Sequence, residues 1–165
     1  MKHPIPLLLA FSALVAAALL VSVPRYRRHR EVRALKHTVA DMHTVAIVLN
    51  AFHEAHGFYP ATSKSRVPLD EIEPQLRSHL AGPLPVDDGW GNSFLYTSDA
   101  RTFELRALGS DQSLSAIGTT TSGRAYVAIT DARADIVITE KGVRSWPEGL
   151  TVPPLPPPRP ALSKP

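Results

Sequence analysis

The sequence predicts an α+β fold, a long N-terminal helix packed on a small antiparallel β-sheet. Three observations predict it. An uncharged apolar run, Ile5 to Val23, is followed by Val32, Leu35, Val39, Met42, Val45, Val48, Leu49 and Phe52 at spacings of three and four, the period of one helix face. Beyond Gly57 the chain changes to short segments that alternate apolar and polar residues between turn formers, as strands and hairpins do. Between these regimes stands Asp87-Asp88-Gly89-Trp90-Gly91-Asn92, a tight turn feeding a strand.

The first element is the apolar run. As a helix it would extend roughly 28 Å, enough to cross a hydrocarbon core, so residues 1–24 are expected to be a membrane anchor. A cleavable signal peptide is the alternative, with Ala16-Ala17-Ala18 as its cleavage site. The apolar pattern carries on through Leu19, Leu20, Val21 and Val23, which favours a retained anchor. Arg25, Arg27, Arg28, Arg30, Arg33 and Lys36 follow as a basic collar suited to the phosphates of a lipid bilayer. The positive-inside rule would place that collar in the cytoplasm. From His37 to Leu150 there are 9 Lys or Arg against 14 Asp or Glu, so the rest of the chain is acidic. A nucleic-acid binder would carry its positive charge on the folded domain, so no nucleic-acid partner is expected. The absence of cysteine is compatible with either side of a membrane.

Residues 25–56 continue the helix as an amphipathic extension, giving about 50 helical residues, with His37, Asp41, His43, Asn50 and Glu54 mostly off the apolar stripe. Pro24 predicts a kink, and Gly57 predicts the helix end. Residues 57–146 form the globular part. A short helix is expected over Leu69–Leu80, started at Pro68 and open to splitting at Pro74. In the turn, Gly89 and Gly91 are expected to supply unusual backbone angles, and Trp90 to bury its ring. Strands follow at Ser93–Ser98, Thr102–Leu108, Ala125–Thr130, Asp135–Thr139 and Val143–Trp146, with Ile117–Arg124 a loop. Residues 147–165 hold eight prolines and read as a polyproline II tail. Its Pro154-Leu155-Pro156-Pro157-Pro158-Arg159 fits an SH3-ligand spacing, although a plain spacer explains it as well.

Catalytic signatures are missing. There is no Gly-x-Ser-x-Gly, no phosphate-binding loop, no dinucleotide fingerprint and no thiol, so the chain is read as non-enzymatic. His53-Glu54-Ala55-His56 falls one residue short of a zincin His-Glu-x-x-His. With His43 it would make a surface metal patch, but solvated helix-end histidines are the simpler reading.

Four segments in order resemble the G-type pseudopilins of type II secretion systems. They are Leu20-Val21-Ser22-Val23-Pro24, His56-Gly57-Phe58-Tyr59-Pro60, the Trp90 turn, and Phe103 to Asp111 followed by Ala134-Asp135-Ile136. The resemblance covers the chain except its Pro-rich tail. It implies a pilin-like fold and a non-enzymatic, membrane-anchored subunit of a type II secretion or type IV pilus-related system. It also implies a single-pass bacterial inner-membrane location with a periplasmic domain, and as partners other pilin-like subunits or secretion-system membrane proteins. The front departs from the family. Aligned on Pro24, Lys2 stands where the processing glycine belongs, His3 at the mature start and Leu7 at the conserved glutamate position. The prepilin peptidase is therefore expected to leave the chain uncut. Leu7 cannot accept the charge pair that sets subunit stagger. A stand-alone membrane-anchored pilin-fold binding domain that does not polymerise is the alternative.

The same resemblance implies a calcium site at Asp111, Asp135 and the Leu108 carbonyl, with Asp131 a sequence neighbour. Calcium requires six or more converging oxygens, and Gln112–Thr130 is longer than the family's loop and lacks its double glycine. Solvated turn aspartates are the competing reading.

Overall fold

The computed structural model describes residues 5–62, 65–115 and 126–151, with side chains of the first helix described from Tyr26 onward. The side chains of the expected anchor, the loop over 117–124 and the tail beyond Thr151 lie outside the described residues. Helix α1 spans Ile5–His56 and continues through Pro24. Strand β1 (Val67–Pro68) leads into a 3-10 turn, a short α2 (Glu73–Leu76) and a second 3-10 turn over Arg77–His79. The single helix expected over Leu69–Leu80 is thus split, with Pro74 in the first turn of α2, where its missing N–H costs nothing. Strands β2 (Leu95–Ser98), β3 (Phe103–Ala107), β4 (Val127–Ile129), β5 (Ile136–Thr139) and β6 (Gly142–Pro147) complete the order.

These strands form one sheet in the order β1-β2-β3-β5-β6-β4. Every pairing is antiparallel except the last. Strand β4 lies parallel to β6, Val127 opposite Ser145 and Ile129 opposite Pro147, which corrects the expectation of a purely antiparallel sheet. Strand β5 lies between the two in sequence, so β4 meets β6 at the edge by a crossover rather than a tight turn. The described architecture is α+β, a long helix packed on a mostly antiparallel six-stranded sheet.

The chain divides into two compact units, residues 1–33 and 34–165. In the first, the described side chains from Tyr26 to Arg33 are all exposed. Among the described residues no helix is long and apolar enough to cross a membrane. The expectation of a single-pass inner-membrane protein is corrected accordingly. Where the side chains of α1 are described, from Tyr26 on, Arg27, Arg28, Arg30, Glu31, Arg33 and Lys36 follow one another closely, and a span tolerates almost no charge.

In the second unit, α1 buries Met42, Val45, Ala46, Val48, Leu49 and Phe52 in one cluster with Leu69, Leu76, Phe94, Tyr96, Leu105, Ile136, Ile138 and Trp146. Each buried Val, Leu, Ile, Met or Phe among them contributes about 1.5–3 kcal/mol relative to exposure. Leu35 and Val39 pack at the margin, as the helical spacing predicts, whereas Val32 is 45% exposed. Asn50, expected off the stripe, is buried and accepts the Tyr59 hydroxyl at 3.1 Å. Gly57, at φ 81°, ends α1 and donates its N–H to the His53 carbonyl at 2.7 Å. The segment after it is tied to β2 by Tyr96, whose hydroxyl donates to the Pro60 carbonyl at 2.9 Å.

Candidate functional site

Three loops meet in a chain of contacts, and the turn over Asp87–Asn92, which touches α1, is the first. Asp88 organises it from a buried position. Its Oδ1 accepts the N–H groups of Trp90 and Asn92, each at 2.9 Å, and its Oδ2 accepts the Asn92 amide at 3.3 Å. Gly91 adopts φ 87°, as its type allows. Gly89 is needed for a different reason than expected. Its φ is unremarkable, but a Cβ there would collide with the Ala34 carbonyl, so the turn touches the helix backbone. The Gly89 N–H donates to Thr38 Oγ1 at 2.8 Å, and that hydroxyl donates to the Ala34 carbonyl at 3.0 Å. Trp90 is only half-buried, and the fully buried indole is Trp146. The turn is therefore held by Asp88 and by close approach rather than by its tryptophan.

The second and third loops carry the expected metal positions. Leu108 precedes a 3-10 turn over Gly109–Asp111. Gly109, at φ 72°, leaves no room for a Cβ against the Ala132 carbonyl, 2.6 Å away, and its own carbonyl accepts the Asn92 amide at 3.3 Å. The Ser110 N–H donates to the Ala132 carbonyl at 2.9 Å, which closes the junction. Asp111 is exposed, and its Oδ1 accepts the Ser113 N–H at 3.1 Å. Asp131 is also exposed and pairs with Arg133 at 2.9 Å. That pairing lowers the Asp131 carboxyl below its ordinary value, and the same bond, then the charge of Asp111, raises Arg133.

Asp135 is placed differently, buried beside Arg106. The guanidinium Nη1 donates to Asp135 Oδ2 at 2.6 Å and to the Ser115 carbonyl at 3.2 Å. Its Nε and Nη2 donate to Glu104 Oε1 at 3.1 and 2.9 Å. Ser115 returns an N–H to Asp135 Oδ2 at 3.2 Å, while the Asp135 carbonyl accepts the Ser145 hydroxyl at 2.7 Å. Asp135 Oδ1 is buried without a hydrogen bond among the described residues. Arg66 and Arg144 approach Glu104 at 3.9 and 3.8 Å.

Asp111, Asp135 and Leu108 stand in different surroundings. Asp111 faces solvent, Asp135 is engaged by a fixed cation, and no group of three or more His, Asp or Glu side chains converges among the described residues. Calcium needs six to eight oxygens at 2.3–2.6 Å.

The histidines are likewise spread among rings. His53 stacks on Tyr59 at 4.4 Å between centroids, and His56 stacks on Phe52 at 4.1 Å. A groove of about 520 Å³ between the β2–β3 and β5–β6 hairpins mixes Asp99, Glu104 and Glu140 with Lys141 and Arg144. Its charges are mixed, with one more acid than base, and do not select one ligand. Sequence reasoning missed Thr38, Arg106 and Glu104. A signal existed for the last two, because Glu104 and Arg106 are the polar members of an alternating strand and so share one face. Comparison with protein families, with characterised proteins and with solved structures gave no match.

Proposed function

We propose that this chain acts by packing rather than by catalysis, as a non-enzymatic pilin-like subunit of a type II secretion or pilus-related assembly. The observation that carries the reading is the fastening of α1 beyond Ala34 to the Asp88–Asn92 turn through Thr38 and Gly89. A helix so fixed presents its outer face, including Ile47 at 42% exposure, to neighbouring helices. The order of the four pseudopilin-like segments supports the same reading. Other pilin-like subunits would be its partners.

A second reading is favoured by Lys2 and Leu7, which stand where pilin-like precursors carry the processing glycine and the glutamate. On that reading the chain is a stand-alone pilin-fold binding domain. Because the sequence lacks cysteine, single cysteines introduced at Val32 and Ile47 provide a clean test. Oxidative cross-linking in cells should give a ladder of higher species containing this chain or a co-expressed pilin-like subunit. Monomer alone, at both positions, would overturn the assembly reading in favour of the stand-alone domain.

A further inference from the structure

We infer that the Arg106 guanidinium is the built-in cation of the loop junction around Asp135, holding it together as a divalent ion would hold a carboxylate-lined loop. The inference rests on the pilin-like reading for the expectation of an ion, and on geometry for the rest. One planar fork joins three segments. It reaches Asp135 at the entry to β5, the Ser115 carbonyl in the loop after the Gly109–Asp111 turn, and Glu104 on its own strand β3. The side chains of Arg106 and Asp135 are 7% and 1% exposed, so water screens this pair little.

Arginine suits the position because its donors lie in a rigid plane, it stays charged, and it bridges two carboxylates at once. Asp135 and Glu104 together offer two negative charges near one guanidinium, and Arg66 and Arg144 add positive charge at the Glu104 end. A divalent cation bound to Asp135 would have to sit beside that fixed positive charge and displace its hydrogen bonds. Ser115, bonded to Asp135 through its N–H and to Arg106 through its carbonyl, ties the loop start to the same pair, while Asp135 Oδ1 stays without a hydrogen bond among the described residues. The chain thus encodes in one side chain a charge that would otherwise come from solution.

The test is thermal unfolding of the purified full chain in millimolar calcium, millimolar magnesium and a chelator. The expected result is three coincident melting curves. Arg106→Gln and Asp135→Asn should each lower the midpoint by several degrees, and the double variant should fall by clearly less than the sum of the two, since they share one ion pair. Should the single variants not fold, the apolar pair Arg106→Met with Asp135→Leu should fold where Arg106→Met alone does not. A wild-type midpoint that climbs with calcium but not magnesium would overturn the inference, as would additive losses in the double variant or failure of the apolar pair. Neither result bears on the cross-linking test, so the two proposals can fail separately.

Discussion

The Gly89 amide donates to the Thr38 hydroxyl across 2.8 Å, joining a surface turn to a helix residue 51 positions earlier. Thr38 is fully buried, and the backbone of Ala34, one helical turn before it, occupies the space a Gly89 side chain would need. Gly89→Ala should therefore cost about 3 kcal/mol or more, because a backbone carbonyl cannot move aside as a side chain can. Gly91→Ala meets open space but positive φ, and should cost only about 1–2 kcal/mol. Urea denaturation followed by circular dichroism ranks the two, and equal losses would show that turn and helix are not in contact.

Thr38→Val keeps the volume and removes the acceptor for the Gly89 N–H. The expected loss is about 0.5–1.5 kcal/mol, the net worth of one part-buried hydrogen bond. A loss near zero would mean that water replaces the hydroxyl.

The two tryptophans should behave oppositely. Trp146→Ala empties a fully buried site and should cost about 3–5 kcal/mol, whereas Trp90→Ala, at a half-buried site, should cost less than half of that. Iodide should quench the fluorescence of Trp146→Phe strongly and that of Trp90→Phe weakly. Equal quenching would contradict the burial described here.

Much of the fold was legible because it depends on local chemistry. The period from Leu35 to Phe52, the Gly57 stop and the alternation across Phe103–Ala107 each follow from one segment's own pattern. What was not legible depends on distant partners. Nothing near Gly89 in sequence reveals Ala34, so its glycine was ascribed to backbone angles rather than to close approach. The parallel β4–β6 pairing is a tertiary choice that no alternation encodes. The counter-charge of Asp135 is Arg106, 29 residues earlier, and no local pattern announces that pairing.

Stability should fall at alkaline pH through Tyr59 and Tyr96. Burial raises both phenols, with the Glu140 charge adding to it at Tyr59, which is pushed up to about 12. An unfolded phenol titrates near pH 10. Between those values the folded state holds more protons than the unfolded one, so the contribution is complete below about pH 10 and is lost as pH rises toward about 12. The wild-type urea midpoint should decline across that window more steeply than that of Tyr59→Phe. Parallel declines would show that the Tyr59 phenol ionises alike in both states.

The central claim is that the Asp88–Asn92 turn fastens α1 beyond Ala34 to the sheet, and native-state hydrogen exchange at the Gly89 amide tests it most directly. That amide is predicted to exchange as slowly as the β3 amides, through global opening alone, and to accelerate in Thr38→Val. Exchange in the wild type as fast as at the exposed Gly82 amide would contradict it.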